Sequence, residues 1–199
     1  MDKILIGEEI KDNKRKFIIY ITIISSKLSS FQTRNSKYPL YKANLDKSQE
    51  SIKDQFVDFT NNYLYNLYIK YKDKNHYISE NDLFDIIRDY QKRCNDIFSS
   101  IFFKKNLRIG ISQKLINLFL KHLWCLDLIN EPPHCPIDGK IKILLSQQFN
   151  VNGLRDWTEF DSIDDYKKYF EVISKVKNND LSIAQWELNN WQIDFDPWP

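Results

Sequence analysis

Glycine is scarce in this chain, with only 4 residues in 199 positions. Glycine supplies the positive-φ conformations that tight hairpin turns require. So few glycines argue against a turn-rich all-β fold. Hydrophobic residues at 42% and charged residues at 28% are typical of a globular protein with a real core.

Cysteine and long apolar runs are also scarce. Three widely spaced cysteines, an odd number, do not form a disulfide framework, and a reducing cytoplasm suits them best. The basic triplet at 14–16 followed by FIIYITII mimics an export signal, but that run is only eight residues long and acidic Glu8 and Glu9 precede it. No run approaches the ~20 residues of a membrane span. We therefore expect a cytoplasmic protein without membrane contact.

Several motifs that mark enzymes and nucleotide-binding proteins are absent from the sequence. It contains no G-x-x-x-x-G-K-[ST], G-x-G-x-x-G, G-x-S-x-G or H-E-x-x-H motif. No catalytic residue can be assigned from motifs, and no cofactor is expected.

Charge is distributed unevenly along the chain, although the net charge is only +2. Residues 1–50 carry ten bases and six acids, whereas residues 151–199 carry five bases and ten acids. The two parts could attract each other within the fold, or one could face a charged partner. Ordinary solvated surfaces would also produce this pattern.

Hydrophobic periodicity predicts α-helices along most of the chain. A helix around 17–31 is predicted from a stripe at spacings of four and three, although the β-branched run at 18–24 equally suits a strand. A second helix is predicted at about 48–72. Residues 32–46 read as a loop. Ser79 and Asp82 resemble a capping box before a third helix. The predicted stripes are Phe17, Ile21, Ile24, Leu28 and Phe31 in the first helix, and Leu83, Ile87, Tyr90, Cys94, Ile97 and Ile101 in the third.

The segment 111–129 is apolar on almost every side, which is typical of a helix in the middle of a bundle. Ser112 is its predicted cap, and Pro132 with Pro133 should end it. Pro136 suits the first position of the next helix. Helices opening at Ser162 and Ser182 and an irregular aromatic tail at 193–199, with rings packed back on the bundle, complete the chain. The sequence therefore predicts one all-α domain over 1–199, a bundle of six to seven helices.

A ladder of polar residues interrupts the central helix. Gln113, Lys114, Asn117 and Lys121 follow one another, and the last three share one helical face. Lysines inside a bundle would need carboxylate partners, for which Asp138 is the candidate, or an anionic ligand. The alternatives are a solvated edge of the helix, or a pocket for phosphate or a nucleic-acid backbone.

A group of cysteine and histidine residues follows this ladder. His122, Cys125, His134 and Cys135 are four ligand types that zinc accepts, but the reliable paired C-x-x-C spacing is missing. The favoured interpretation is that Cys125 belongs to the core, His134 to a turn and Cys135 to a helix cap, with no metal bound. A Cys-His nucleophile is a further alternative.

An acidic cluster near Trp157 contains Glu159, Asp161, Asp164 and Asp165. Carboxylates at this density can hold Mg²⁺. Acids gathered at a helix N-terminus explain them equally well, and this interpretation is favoured.

The central stretch resembles a family of uncharacterised helical bacterial proteins over roughly residues 80–192. The resemblance implies a bacterial origin and carries no activity. It rests on Gln113, Lys114, Asn117 and Lys121, on Leu123-Trp124-Cys125, on the run from Pro133 to Asp138, and on Trp157 and Trp186-Glu187.

The leading functional hypothesis is a non-enzymatic binding module for a phosphate-bearing ligand, nucleotide or nucleic acid. Its ligand residues would be Gln113, Lys114, Asn117, Lys121 and Asp138. An enzyme stays open as the alternative, namely a metal-dependent phosphodiester hydrolase or nuclease that uses Asp138 or the acidic cluster. A further alternative is a non-catalytic subunit of a bacterial defence or mobile-element complex that binds a protein partner.

Overall fold

The computed structural model describes residues 2–33 and 37–190, with the side chains of residues 2–10 excepted. Within these ranges the chain forms seven α-helices and no strand, so the predicted all-α, single-domain bundle is confirmed. The predicted tail at 193–199 lies outside the described residues. The helices are α1 (Asp2–Phe31), α2 (Lys47–Tyr71), α3 (Glu80–Phe98), α4 (Ile109–Cys125), α5 (Gly139–Phe149), α6 (Ile163–Val176) and α7 (Ile183–Asn190), with short 3-10 turns at Ser99–Ile101, Phe103–Lys105 and Trp157–Glu159.

Local sequence determines where two of these helices begin. Ser79 caps α3 and Ser162 caps α6, each in a capping box with an aspartate three residues later, as predicted. The predicted α3 stripe is buried from Leu83 to Cys94 and again at Ile101, but it is interrupted in between. Ile97 is exposed, and Phe98 is buried in its place as the helix tightens into a 3-10 turn.

Helix α4 is the predicted buried central helix, and it packs against α1, α3 and α6. Its predicted bounds were wrong at both ends. The helix starts at Ile109 and has no side-chain cap, because the Ser112 hydroxyl donates to the carbonyl of Arg108 instead. It stops at Cys125, before the prolines, and Asp127 then turns the chain with a positive φ.

Helix α1 packs on α4 through the face opposite to the predicted one. The stripe from Phe17 to Leu28 is largely exposed, whereas the buried face carries smaller residues. Small side chains let two helices approach closely, and buried hydroxyls can donate to carbonyls of their own helix. Thr22 and Ser26 do so toward the residues four positions earlier, at 2.8 Å each. The buried residues are Ile19, Thr22, Ile23, Ser26 and Ser30.

The connection from α4 to α5 also differs from the prediction. Pro136 is not the first helical residue. Asp138 is the N-cap of α5, and its Oδ1 accepts from the backbone N–H groups of Lys140 and Ile141. The chain therefore stays non-helical through Ile137, where its backbone meets α4.

The predicted loop at 32–46 is non-helical wherever the structure describes it. An antiparallel bridge between Tyr41 and Phe102 attaches it to the segment after α3. In the described ranges, none of the helices has the length and hydrophobicity that crossing a membrane requires.

Candidate functional site

The polar ladder of α4 is buried. Gln113 and Asn117 are fully covered, and Lys114 and Lys121 are only 8% and 7% exposed. The interpretation of this face as a solvated edge was wrong. Each of these four side chains contacts a different part of the chain.

Gln113 holds the non-helical segment before α5. Its Nε2 donates to the Ile137 carbonyl at 2.7 Å, and its Oε1 accepts from the Ile137 N–H at 3.1 Å. One side chain thus satisfies both backbone groups of a buried residue, which would otherwise be left without partners. Gln113 therefore fixes the place where α5 begins.

Lys114 lies beside that start. Its Nζ is 3.9 Å from Asp138 Oδ2 and 4.5 Å from the centre of the Trp157 ring, a cation–π distance. The prediction that Asp138 is a carboxylate neighbour of this lysine is confirmed.

Asn117 contacts α6. Its Nδ2 donates to the Tyr166 hydroxyl at 2.6 Å and to the carbonyl of Gln113 at 2.8 Å. Tyr166 in turn donates to the carbonyl of Cys135 at 3.4 Å. Burial raises the pKa of Tyr166 well above its ordinary value, so the phenol stays neutral.

Lys121 forms a buried ion pair with Glu187 of α7. Its Nζ lies 2.6 Å from Oε2 and donates to Oε1 at 2.9 Å. Burial raises the pKa of Glu187, and the Lys121 ammonium opposes this rise. Sequence reasoning did not identify Glu187 as this partner, because the two residues are far apart along the chain and no local pattern links them.

Gly110 allows the turn that carries Trp157 to pack against α4 beside Lys114. A Cβ on Gly110 would lie 1.7 Å from the Trp157 carbonyl oxygen, and the Gly110 N–H donates to the Phe160 carbonyl at 3.2 Å. Only glycine permits such a close backbone approach. The 3-10 turn is therefore seated against the first turn of α4, with the indole next to Lys114.

A cleft of about 610 Å³ lies beside Lys114, between the end of α1, the start of α5 and the Trp157 turn. Of the five predicted ligand residues, Lys114 and Asp138 line it, whereas Gln113, Asn117 and Lys121 do not. The lining residues are Leu28, Ser29, Gln32, Lys114, Asp138, Gly139, Lys140, Ile143, Asp156, Trp157 and Thr158.

The four candidate zinc ligands do not come together. His122 contacts Ser26 of α1 through Nδ1 at 3.1 Å, and Cys125 is exposed rather than part of the core. Cys135 is buried three residues before the actual cap of α5, so it caps no helix. In the part of the chain that the structure describes, no three His, Cys, Asp or Glu side chains are placed to hold a metal ion.

His134 lies in the bend after the two prolines and is buried against two aromatic rings. Its ring centre is 3.6 Å from that of Phe170 and 5.4 Å from that of Phe84. Burial lowers its pKa to about 4. The exposed Glu80 carboxylate, 3.7 Å from Nε2, does not offset this burial because solvent screens it.

The acidic cluster also has a structural explanation. Asp165 completes the capping box of α6 and accepts from Arg155 at 3.0 Å, and Asp161 lies 3.8 Å from the same guanidinium. Arg155 lowers the pKa of Asp165 against the effect of burial. Asp164 and Asp165 lie in the first turn of α6, as the favoured interpretation predicts, whereas Glu159 belongs to the preceding 3-10 turn.

Comparison with known proteins identifies no relative. No family model matches the chain, and neither a curated protein nor a solved structure does so. The resemblance to uncharacterised bacterial proteins therefore stays a prediction.

Proposed function

We propose that the protein is a non-catalytic binding module for a phosphate-bearing ligand, and that the ligand binds in the cleft at the start of α5. One observation carries the proposal: two lysines, Lys114 and Lys140, converge on a single concave site of about 610 Å³ together with Trp157. Such a volume suits a small ligand. Lysine binds phosphate as a point charge.

The supporting geometry is a preformed wall. Lys114 is buried along its stem and oriented by Asp138 and the Trp157 ring, so a ligand meets a charge that is already positioned. Ser29 and Thr158 line the same cleft, where the Thr158 hydroxyl donates to the Asp156 carboxylate at 2.7 Å. The carboxylates of Asp138 and Asp156 balance the charges of the two lysines. A bound phosphate would therefore partly replace these carboxylates as the negative charge that faces the lysines.

The test is isothermal titration of the full chain with ATP and with a single-stranded DNA 12-mer, each without divalent metal. We expect at least one probe to bind, with an affinity that falls as salt rises. Lys140→Gln should weaken binding about tenfold, as expected for a lost charge-assisted contact worth ~1.5 kcal/mol. Lys142→Gln is the matched control, because Lys142 lies on the same helix outside the lining of the cleft.

Absence of binding by both probes, or an equal loss in the Lys140 and Lys142 variants, would overturn the proposal. Metal-dependent hydrolysis of either probe that Asp138→Asn abolishes would favour the enzyme instead.

A further inference from the structure

The outward face of α1 is an apolar surface with no described residue packed on it. Phe17 is 65% exposed, Tyr20 57% and Leu28 56%, and Ile18 and Ile21 are also exposed. The other large exposed hydrophobic side chains are distributed over several elements, whereas these five lie on one helix. Contiguous apolar patches of this kind mark interaction sites.

We propose that this face binds a second copy of the same chain, with the two α1 helices packed antiparallel. Its core positions, Phe17, Ile21, Ile24 and Leu28, alternate in steps of four and three. That heptad spacing keeps one seam facing a partner helix. The seam lies opposite the face that α1 packs on α4, so both contacts can form together.

The antiparallel arrangement follows from matching seam positions. Pairing Ile21 with Ile24 of the other copy places Phe17 against Leu28 at both ends of the seam. There, Asn13, Lys14, Phe17 and Ile18 line a shallow notch of about 420 Å³. The notch thus receives Leu28 of the other copy.

Charge favours the same direction. Residues 11–16 hold four bases and one acid, so two copies of this segment repel each other when they lie side by side. Antiparallel packing places the two segments at opposite ends of the seam. Parallel packing would set Lys14 beside its own counterpart, and like charges at such positions are destabilising.

The available area meets the requirement of a specific dimer. With side-chain areas of ~200 Å², the five exposed residues offer on the order of 500 Å² per copy. Two copies bury roughly 1,000 Å², the lower limit of a specific interface. We therefore expect a dimer that dissociates on dilution.

Sedimentation velocity of the full chain, without any added ligand, tests the dimer from roughly 1 to 100 µM, a range suited to an interface of this size. The expected mass at the upper end is twice the 24.0 kDa of one chain. Ile21→Lys should abolish dimerisation while leaving the helical circular dichroism intact, since Ile21 is exposed. Ile97→Lys, a change at an exposed position on α3, should leave the dimer unchanged.

Spin labels on Lys14→Cys in a Cys125→Ser background test the direction of packing. In antiparallel packing the two labelled positions are separated by 17 residues along the seam, or roughly 26 Å. A label separation of ~10 Å would show parallel packing and overturn the arrangement. A monomer at every concentration, or a monomer that floats with phosphatidylserine vesicles, would overturn the proposal altogether. Dimerisation and ligand binding are measured separately, so failure of one leaves the other standing.

Discussion

Lys121 and Glu187, 66 residues apart in sequence, form an ion pair inside the bundle with 2.6 Å between Nζ and Oε2. The pair connects the central helix to the last described helix. Both side chains are nearly inaccessible to solvent, so each charge depends on the other for compensation.

Removing one partner of this pair should destabilise the fold strongly. Lys121→Met should lower the free energy of unfolding by about 3–5 kcal/mol, because it leaves the Glu187 carboxylate buried and unpaired. The double variant Lys121→Met/Glu187→Leu should recover most of this loss. Urea denaturation of both variants provides the measurement. Lys16→Met is the control: it breaks a pair with Asp12 that is exposed on both sides and should change the value by less than about 1 kcal/mol. Equal effects at the two pairs would contradict the account.

Gly110→Ala should push the Trp157 turn away from α4. The added Cβ would meet a backbone oxygen, which cannot rotate aside as a flexible side chain can. We expect a loss of about 3 kcal/mol in unfolding free energy, measured by thermal and urea denaturation.

Gly139→Ala is the matched control for this substitution. A Cβ on Gly139 meets nothing within 4 Å, so the change should be neutral or slightly stabilising. A tolerated Gly110→Ala would show that the close approach is not required.

The free energy of unfolding should decrease as the pH falls from 6.5 to about 4, because His134 stays neutral in the folded chain over this range. The imidazole is neutral in both states above its ordinary pKa of 6.5. Between 6.5 and about 4 only the unfolded chain binds the proton. Across this range the free energy of unfolding should fall by ~1.4 kcal/mol per pH unit. The total loss should approach about 3 kcal/mol and level off below pH 4. The measurement is the difference in unfolding free energy between the natural chain and His134→Phe from pH 7 to pH 4, which cancels the other titrating groups. An unchanged difference would contradict the lowered pKa.

Gln113→Leu should destabilise the start of α5. It keeps the volume but leaves the buried N–H and carbonyl of Ile137 without partners, at a cost of about 3 kcal/mol. Hydrogen exchange should also show faster exchange at the Ile137 amide. Gln148→Leu, at an exposed position on α5, should change neither quantity. If the two variants behave alike, Gln113 does not hold this segment.

Some features were predictable from single segments. The capping boxes at Ser79 and Ser162 depend on residues three positions apart, so the chain displays them directly. The buried central helix was predictable because its apolar residues cover almost every side. The Lys114–Asp138 contact was also predictable, because a lysine inside a bundle requires a carboxylate partner and Asp138 follows α4 in the sequence.

Helix α1 shows where such reasoning fails. Its most regular apolar stripe is the outward face, and the inward face contains Thr22, Ser26 and Ser30. Periodicity measures the hydrophobicity of a face, whereas helix packing here depends on how closely two helices can approach. In the proposed dimer, the α1 helix of the second copy covers this stripe.

The helical class, several helix starts and the burial of α4 follow from the sequence, because they depend on neighbouring residues and on overall hydrophobicity. The buried face of α1, the compensation of Lys121 by Glu187 and the packing of Trp157 beside Lys114 across Gly110 emerge only when the chain is folded. Each of these contacts joins residues far apart in the chain, and its energy comes from close approach and exclusion of water. Neither is encoded in a local pattern.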